Sequence, residues 1–367
     1  MESTQASSLS TTDMRERMTT PGGGDYFALA YMQLCGLSYH APYSEIPGMV
    51  ADPAIVTPWG DGRWRCIWGP AADGEDANLV YVAAFYDPTN VPVAVVTVVR
   101  GTDITDNVWG DLWEAFEDLQ VPFQYPMPWL PSSPARVAGG TLDALTTIQG
   151  LVSGGPTLLG FLSNFLANPA NRRPVLVVTG HSLGGCLTTV AAPWLRVALA
   201  GKGVTVPIVP ATFAAPTAGN AAFAQYLNST FQYAPRFYNT LDMVPHGWAD
   251  LEGVMSLYDE YGLSTPLWVD GAIEGFKGAI RLGGASYAQP VNAGTLAGSF
   301  CMQFDWLQEI STQHDHRTYI ALMKGATPPC YKPLRARNRH YSPEERNAAL
   351  AAGAAAGEEE PIFILSD

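Results

Sequence analysis

The apolar run Pro174-Val-Leu-Val-Val-Thr179 passes without a spacer into Gly180-His181-Ser182-Leu183-Gly184-Gly185, and a helix-compatible stretch follows, Leu183 to Ala200. A strand, a tight turn and a helix in that order are the repeating step of an α/β sheet. The glycines at 180 and 184 are what a sharp turn around Ser182 demands, because a β-carbon on either side would clash with the returning backbone. A helix that begins just after the serine directs its first N–H groups at any anion forming there.

The rest of the chain agrees with this layout. Short strands with turn punctuation are expected over Trp64–Trp68, Leu79–Tyr86 and Val91–Val99, then Val206–Phe213 and Phe231–Asn239. Val91–Val99 is rich in β-branched residues and almost wholly apolar, which suits a central strand covered on both faces. Pro193 should break or kink the helix after Ser182 at about its third turn. The expected fold is thus α/β, a mostly parallel central sheet flanked by helices. Residues 1–24, ending in Pro21-Gly22-Gly23-Gly24, read as a flexible leader, 25–335 as one catalytic domain, and 336–367 as a helical tail. Ser342-Pro343-Glu344-Glu345 opens that tail with a capping box.

Composition excludes several classes. With 47% hydrophobic and 15% charged residues, the 367-residue chain can bury a large core and is not a disordered one. Its net charge of −14 repels nucleic-acid phosphates. Met1–Thr20 is polar and resembles neither signal peptide nor anchor, and no apolar run reaches the roughly 18 uninterrupted residues of a spanning helix. The expectation is a soluble protein, cytoplasmic by default or exported without a leader, of open oligomeric state. The five cysteines lack a CxxC pair, so no structural zinc site is expected; the odd count leaves at least one thiol unpaired.

A serine in such a turn needs a base and a group to orient it. Of six histidines, His181 adjoins the serine and should point away, while His40 and His340 lie near the ends of the fold. His246, His314 and His316 remain. Asp242 sits just past an expected strand end, a natural loop position for an acid. His246 is only four residues beyond it, too near for a base on a separate loop, and spacing does not choose between His314 and His316. Val99-Arg100-Gly101-Thr102 follows another apolar strand, and Thr102 offers an N–H to an oxyanion alongside that of Leu183.

These segments resemble, in the right order, those of the class 3 lipases, the family that includes the fungal triacylglycerol lipases. Arg100-Gly101-Thr102 is similar to the family's oxyanion segment, Gly180–Gly185 to its elbow, and Asp242-Met-Val-Pro245 to its acid segment. Phe213-Ala-Ala-Pro216-Thr-Ala-Gly219-Asn220 resembles its Phe-Gly-x-Pro-Arg-Val-Gly-Asn stretch, with Ala214 or Ala215 for the glycine and Thr217 for the arginine. Asp315-His316-Arg317-Thr318-Tyr319 fits the family's Asp-His-Leu-x-Tyr frame, so the resemblance selects His316 as the base. It implies an α/β-hydrolase fold, a Ser182–Asp242–His316 triad and ester hydrolysis with no metal or organic cofactor. The interval from Asp242 to His316 is longer than in the fungal members, and residues 251–300 are expected to add a wall to the pocket.

Between about 105 and 132 the resemblance implies a lid. Trp109, Leu112, Trp113, Phe116 and Leu119 follow helical spacing, with Asp111, Glu114, Glu117 and Asp118 opposite them. Large apolar side chains at one mouth suggest an acyl-chain site. The expected activity is hydrolysis of lipid-like esters, of triacylglycerol type, at a lipid–water interface. Phospholipase and polyester or short-chain esterase share the same triad; an inactive binder of hydrophobic ligands is the reading from another class.

Overall fold

The computed structural model describes residues 10–22, 25–57, 61–74, 78–101, 119–291, 293–328 and 330. Seven strands form one sheet in the order β1 (Arg63–Ala72), β2 (Leu79–Tyr86), β3 (Pro92–Val99), β6 (Val175–His181), β7 (Ile208–Phe213), β8 (Arg236–Asn239), β9 (Ala293–Leu296). The first two pairings are antiparallel and the remaining four parallel. A separate hairpin pairs β4 (Gln124–Pro126) with β5 (Arg136–Ala138).

The uniform apolarity of β2, β3 and β6 has a direct cause: every residue in them is buried. Along β2, Val80, Val82 and Ala84 point into one core, and Leu79, Tyr81, Ala83 and Phe85 into the other, as the two-residue period of a strand requires. The first core lies under α4 (Gly139–Gly150), α5 (Leu158–Ala167), α6 (Leu183–Gly201) and α7 (Ala221–Thr230). The second lies under α1 (Thr11–Met18), α2 (Asp25–Leu37), α3 (Ile46–Val50) and Tyr319 of α11 (His316–Met323). A third cluster joins Leu119, Val121, Leu241 and Val244 to α8 (Leu251–Met255), α9 (Leu267–Leu282) and α10 (Trp306–His314). Leu183, next to the serine, packs against this cluster.

Three elements differ from expectation. Residues 1–24 were expected to be a flexible leader, yet Thr11–Met18 is a helix. Ser10 and Asp13 form its capping box, and Met14 and Met18 are buried against the sheet. Helix α6 runs unbroken through Pro193. A proline inside a helix costs ~3 kcal/mol; burial of Leu187, Val190, Leu195 and Leu199 on the same helix offsets it. By length and composition α6 could also cross a membrane, but it lies largely buried in the core. The edge strand β9, half of it exposed and carrying little apolar pattern, was not anticipated. The expected lid helix, the tail helix and His340 fall outside the described residues.

Candidate active site

Ser182 caps α6 with φ 59° and ψ −131°, a conformation that turns its side chain out of the strand line. The surrounding glycines make this possible. A β-carbon on Gly180 would come within 2.2 Å of the Gly184 carbonyl, and one on Gly184 within 2.2 Å of the Val99 oxygen. On Gly101 it would stand 2.5 Å from the His181 oxygen and 3.0 Å from the Ser182 β-carbon. The end of β3, the turn and the first turn of α6 are therefore in backbone-to-backbone contact. Leu183 is the first residue of α6, where an N–H has no intrahelical acceptor and faces whatever lies in front of the helix. Thr102 follows Gly101 directly but lies outside the described residues, as do Trp109, Leu112, Trp113 and Phe116.

The base position corrects the sequence expectation. His314, not His316, stands at the serine. The Ser182 hydroxyl donates to His314 Nε2 over 2.8 Å, and His314 Nδ1 donates to Asp242 Oδ2 over 2.8 Å. All three side chains are buried, with Asp242 wholly so. His314 ends α10, whereas His316 begins α11 beyond the non-helical Asp315, whose carboxylate caps the new helix through the Arg317 N–H. His316 belongs to the opposite side of this junction. Its ring stacks on Tyr39 at 5.2 Å and 17°, beside Gly36. The helix-starting signal of Asp315, and the capping box Asp305–Gln308 that starts α10, were the features that could have divided the two histidines.

Asp242 comes from the loop after β8, as expected. Its Oδ2 also accepts from the Tyr319 hydroxyl at 2.7 Å, and its Oδ1 from the Val244 N–H at 2.9 Å. Tyr319, the last residue of the Asp-His-x-x-Tyr frame, thus touches the acid, a contact that spacing did not reveal. Burial, and then the Asp242 charge, hold its phenol well above the usual value, so it stays a donor. His181 lies behind the pair, its ring centroid 4.9 Å from that of His314, with Nδ1 2.9 Å from the Tyr39 hydroxyl. Burial foremost, with His314 and His316 adding, pushes its pKa well below the usual histidine value. For Asp315, burial raises the pKa, but the Arg317 hydrogen bonds and the His316 charge outweigh it and the net direction is down. Ala214 has φ 52°, which identifies it rather than Ala215 as the residue standing where the resembled stretch has glycine.

A Ser–His–Asp chain of two short hydrogen bonds, at a turn over a helix N-terminus, can do nucleophilic acyl chemistry. Comparison with known proteins agrees. Residues 96–251 match the model of the family described as Lipase (class 3). Among solved structures, M37 lipase is similar at 23% identity and TM-score 0.67, covering 84% of this chain and 94% of that one. A lipase from Rhizopus microsporus var. chinensis (20% identity, TM-score 0.44, 62% and 70% covered) and the Rhizomucor miehei lipase propeptide complex (22%, 0.40, 65% and 64%) also match. The likeness to M37 lipase is the one that establishes a common fold. No curated protein sequence matches the chain. With the class 3 lipase match running from within β3 through the serine turn to the Asp242 loop, the chain is a serine ester hydrolase that resembles the class 3 lipases.

Proposed function

We propose that this chain hydrolyses carboxylic esters of lipid-like substrates through an acyl-enzyme on Ser182, with His314 as general base and acid and Asp242 as the orienting carboxylate. The observation that carries the reading is the pair of 2.8 Å hydrogen bonds through His314, from Ser182 on one side and to Asp242 on the other. As the hydroxyl attacks the ester carbonyl, Nε2 takes its proton, and Asp242 stabilises the imidazolium. The tetrahedral oxyanion is held by the N–H of Leu183 and, from the β3 side, that of Thr102. Nε2 then returns the proton to the departing alcohol, and water repeats the cycle to release the acid.

Several features favour a lipid-like acyl group over a small polar one. The class 3 lipase match is one. The apolar sequence stripe Trp109, Leu112, Trp113 and Phe116, directly after the oxyanion segment, is another. The third is Leu183 packed into the cluster with Val121 and Val244. Triacylglycerol is the favoured member of this class, and action at a lipid–water interface goes with it; phospholipids and short-chain or polymeric esters would use the same three residues.

A panel of nitrophenyl esters of rising chain length, read below and above each ester's solubility limit, tests the reading. A preference for long chains with a rate jump at the interface is expected. Preference for acetyl or butyryl esters without a jump assigns a short-chain esterase instead. Ser182→Ala should lower turnover by on the order of 10⁴-fold or more. Undiminished hydrolysis by that variant overturns the proposal, and ligand binding without any turnover by the parent protein would leave only a hydrophobic-ligand binder.

A further inference from the structure

The acid and the base come from elements 72 residues apart in the chain, and a second set of buried polar side chains joins the same two elements. Asn239 closes β8, three residues before Asp242; Gln313 immediately precedes His314. Both Asn239 side-chain N–H bonds go to Gln313, one to its main-chain oxygen at 2.9 Å and one to its Oε1 at 2.6 Å. On the acid side Asn239 shapes the loop itself: its Oδ1 accepts from the Leu241 N–H at 3.1 Å and its main-chain oxygen from the Asp242 N–H at 3.0 Å. Its own N–H donates to the Tyr319 hydroxyl, which in turn donates to Asp242. On the base side Gln313 Nε2 donates to the Ser299 oxygen and to Glu309 Oε1, each at 2.8 Å. Glu309 further accepts from the Cys301 N–H at 3.1 Å.

Asn239, Gln313 and Glu309 are each at most 1% exposed. A buried amide or carboxylate is expensive unless every polar atom has a partner, and a network in which they do is stiff. A carboxylate with no cation beside it in this set is a costly way merely to fill space. Burial raises its pKa, and the Gln313 and Cys301 hydrogen bonds work against that rise. Leucine or methionine would fill the same volume at less cost.

From this arrangement we infer that Asn239 and Gln313, steadied by Glu309, form a clamp that sets the spacing of Asp242 and His314, and that all three are positioning residues of the hydrolytic reaction. The inference rests on the assignment of His314 and Asp242 as base and acid. The clamp touches no substrate. It fixes the carboxylate against Nδ1 so that the imidazole presents Nε2 to the serine with little rotational freedom. Loss of it should therefore fall on kcat and not on KM.

The test compares Gln313→Met, Glu309→Gln and His314→Ala in the full chain, with nitrophenyl butyrate as substrate. Rates, thermal unfolding and the far-downfield proton resonance of the His314 Nδ1–H are measured together. Gln313→Met should lower kcat by about 10- to 100-fold at a KM within threefold of the parent, and shift or broaden the downfield resonance. Glu309→Gln keeps one carbonyl acceptor and nearly the same shape, so it folds and shows the same pattern at about three- to tenfold. A parent-like kcat and resonance in both variants overturns the clamp. So does a loss of rate that only follows the folded fraction while the resonance stays in place. His314→Ala separates the two levels: if it retains activity, the base assignment itself fails; if it is inactive while the other two are parent-like, only the clamp does.

Discussion

His314 and His316 are separated by one residue yet lie on opposite sides of a helix-to-helix junction, and this decides which of them stands at Ser182. The first is the last residue of α10 and bridges Ser182 and Asp242; the second starts α11 and stacks on Tyr39. His314→Ala should thus lower kcat on the order of 10³-fold or more, as removal of a triad base does elsewhere. His316→Ala should stay within about tenfold, since its ring stacks on Tyr39 and pairs with Asp315 rather than with Ser182 or Asp242. Steady-state rates on one soluble ester give both values, and the opposite ranking would restore His316. The placement of Ser182 and Asp242 was legible because each sits in a segment with a physical requirement: a glycine-flanked turn, and a loop at a strand end. The histidine between them was not, because two histidines fit the spacing and the motif frame that chose between them was shifted by two residues. Tyr319 and Asn239 were hidden for a plainer reason. Contacts between residues 77 or 80 positions apart leave no local pattern.

At the scale of elements, α10 and α11 form a strap that brings His314 to Ser182, and the Cys301–Cys330 disulfide closes a 29-residue loop around it. Sequence could not select this pair among five cysteines. Cys35, Cys66 and Cys186 remain as thiols; burial pushes Cys186 to about 12, so it is unreactive at neutral pH. A cross-link over that loop length contributes about 3–4 kcal/mol through the unfolded chain. Reduction should therefore lower the melting temperature by several degrees, and Cys301→Ser should reproduce the loss and become insensitive to reductant. An unchanged melting curve in both would show that the disulfide adds nothing to the strap. The sheet itself was readable from sequence to within a few residues for its central strands, because burial on both faces writes an unbroken apolar run. The segments read poorly were those governed by tertiary packing against local preference. Pro193 sits mid-helix because it and most of α6 are buried in the core, and α1 is polar over most of its surface, with Met14 and Met18 as its buried residues.

Over the whole molecule, stability should depend on pH through His181. Its folded pKa is depressed chiefly by burial, so the unfolded chain binds a proton that the folded one refuses. The contribution is complete above the unfolded value of about 6.5 and is lost as pH falls below it, with a slope approaching 1.4 kcal/mol per unit. Tyr39, His314, His316 and Tyr319 face the ring and none supplies a negative charge. Glu309 works with the opposite sign: its raised pKa favours the folded state at low pH, a gain lost as pH rises from the usual carboxylate value near ~4.3. Melting temperatures should fall from pH 7 to pH 5, and His181→Asn should flatten that slope even if it lowers the whole curve; an identical slope in the variant would place the proton elsewhere. A different kind of consequence follows from the contacts of Gly180, Gly184 and Gly101 with main-chain atoms. Gly184→Ala, with its methyl 2.2 Å from the Val99 oxygen, should be destabilised by about 1–3 kcal/mol or more in a chemical denaturation curve. Conversely, among the described residues the nearest neighbours of Gly180 and Gly184 are main-chain atoms, not pocket side chains. The reactive frame and the walls that select a substrate are thus separately mutable, and the walls can drift toward new esters over evolutionary time while the chemistry stays where it is.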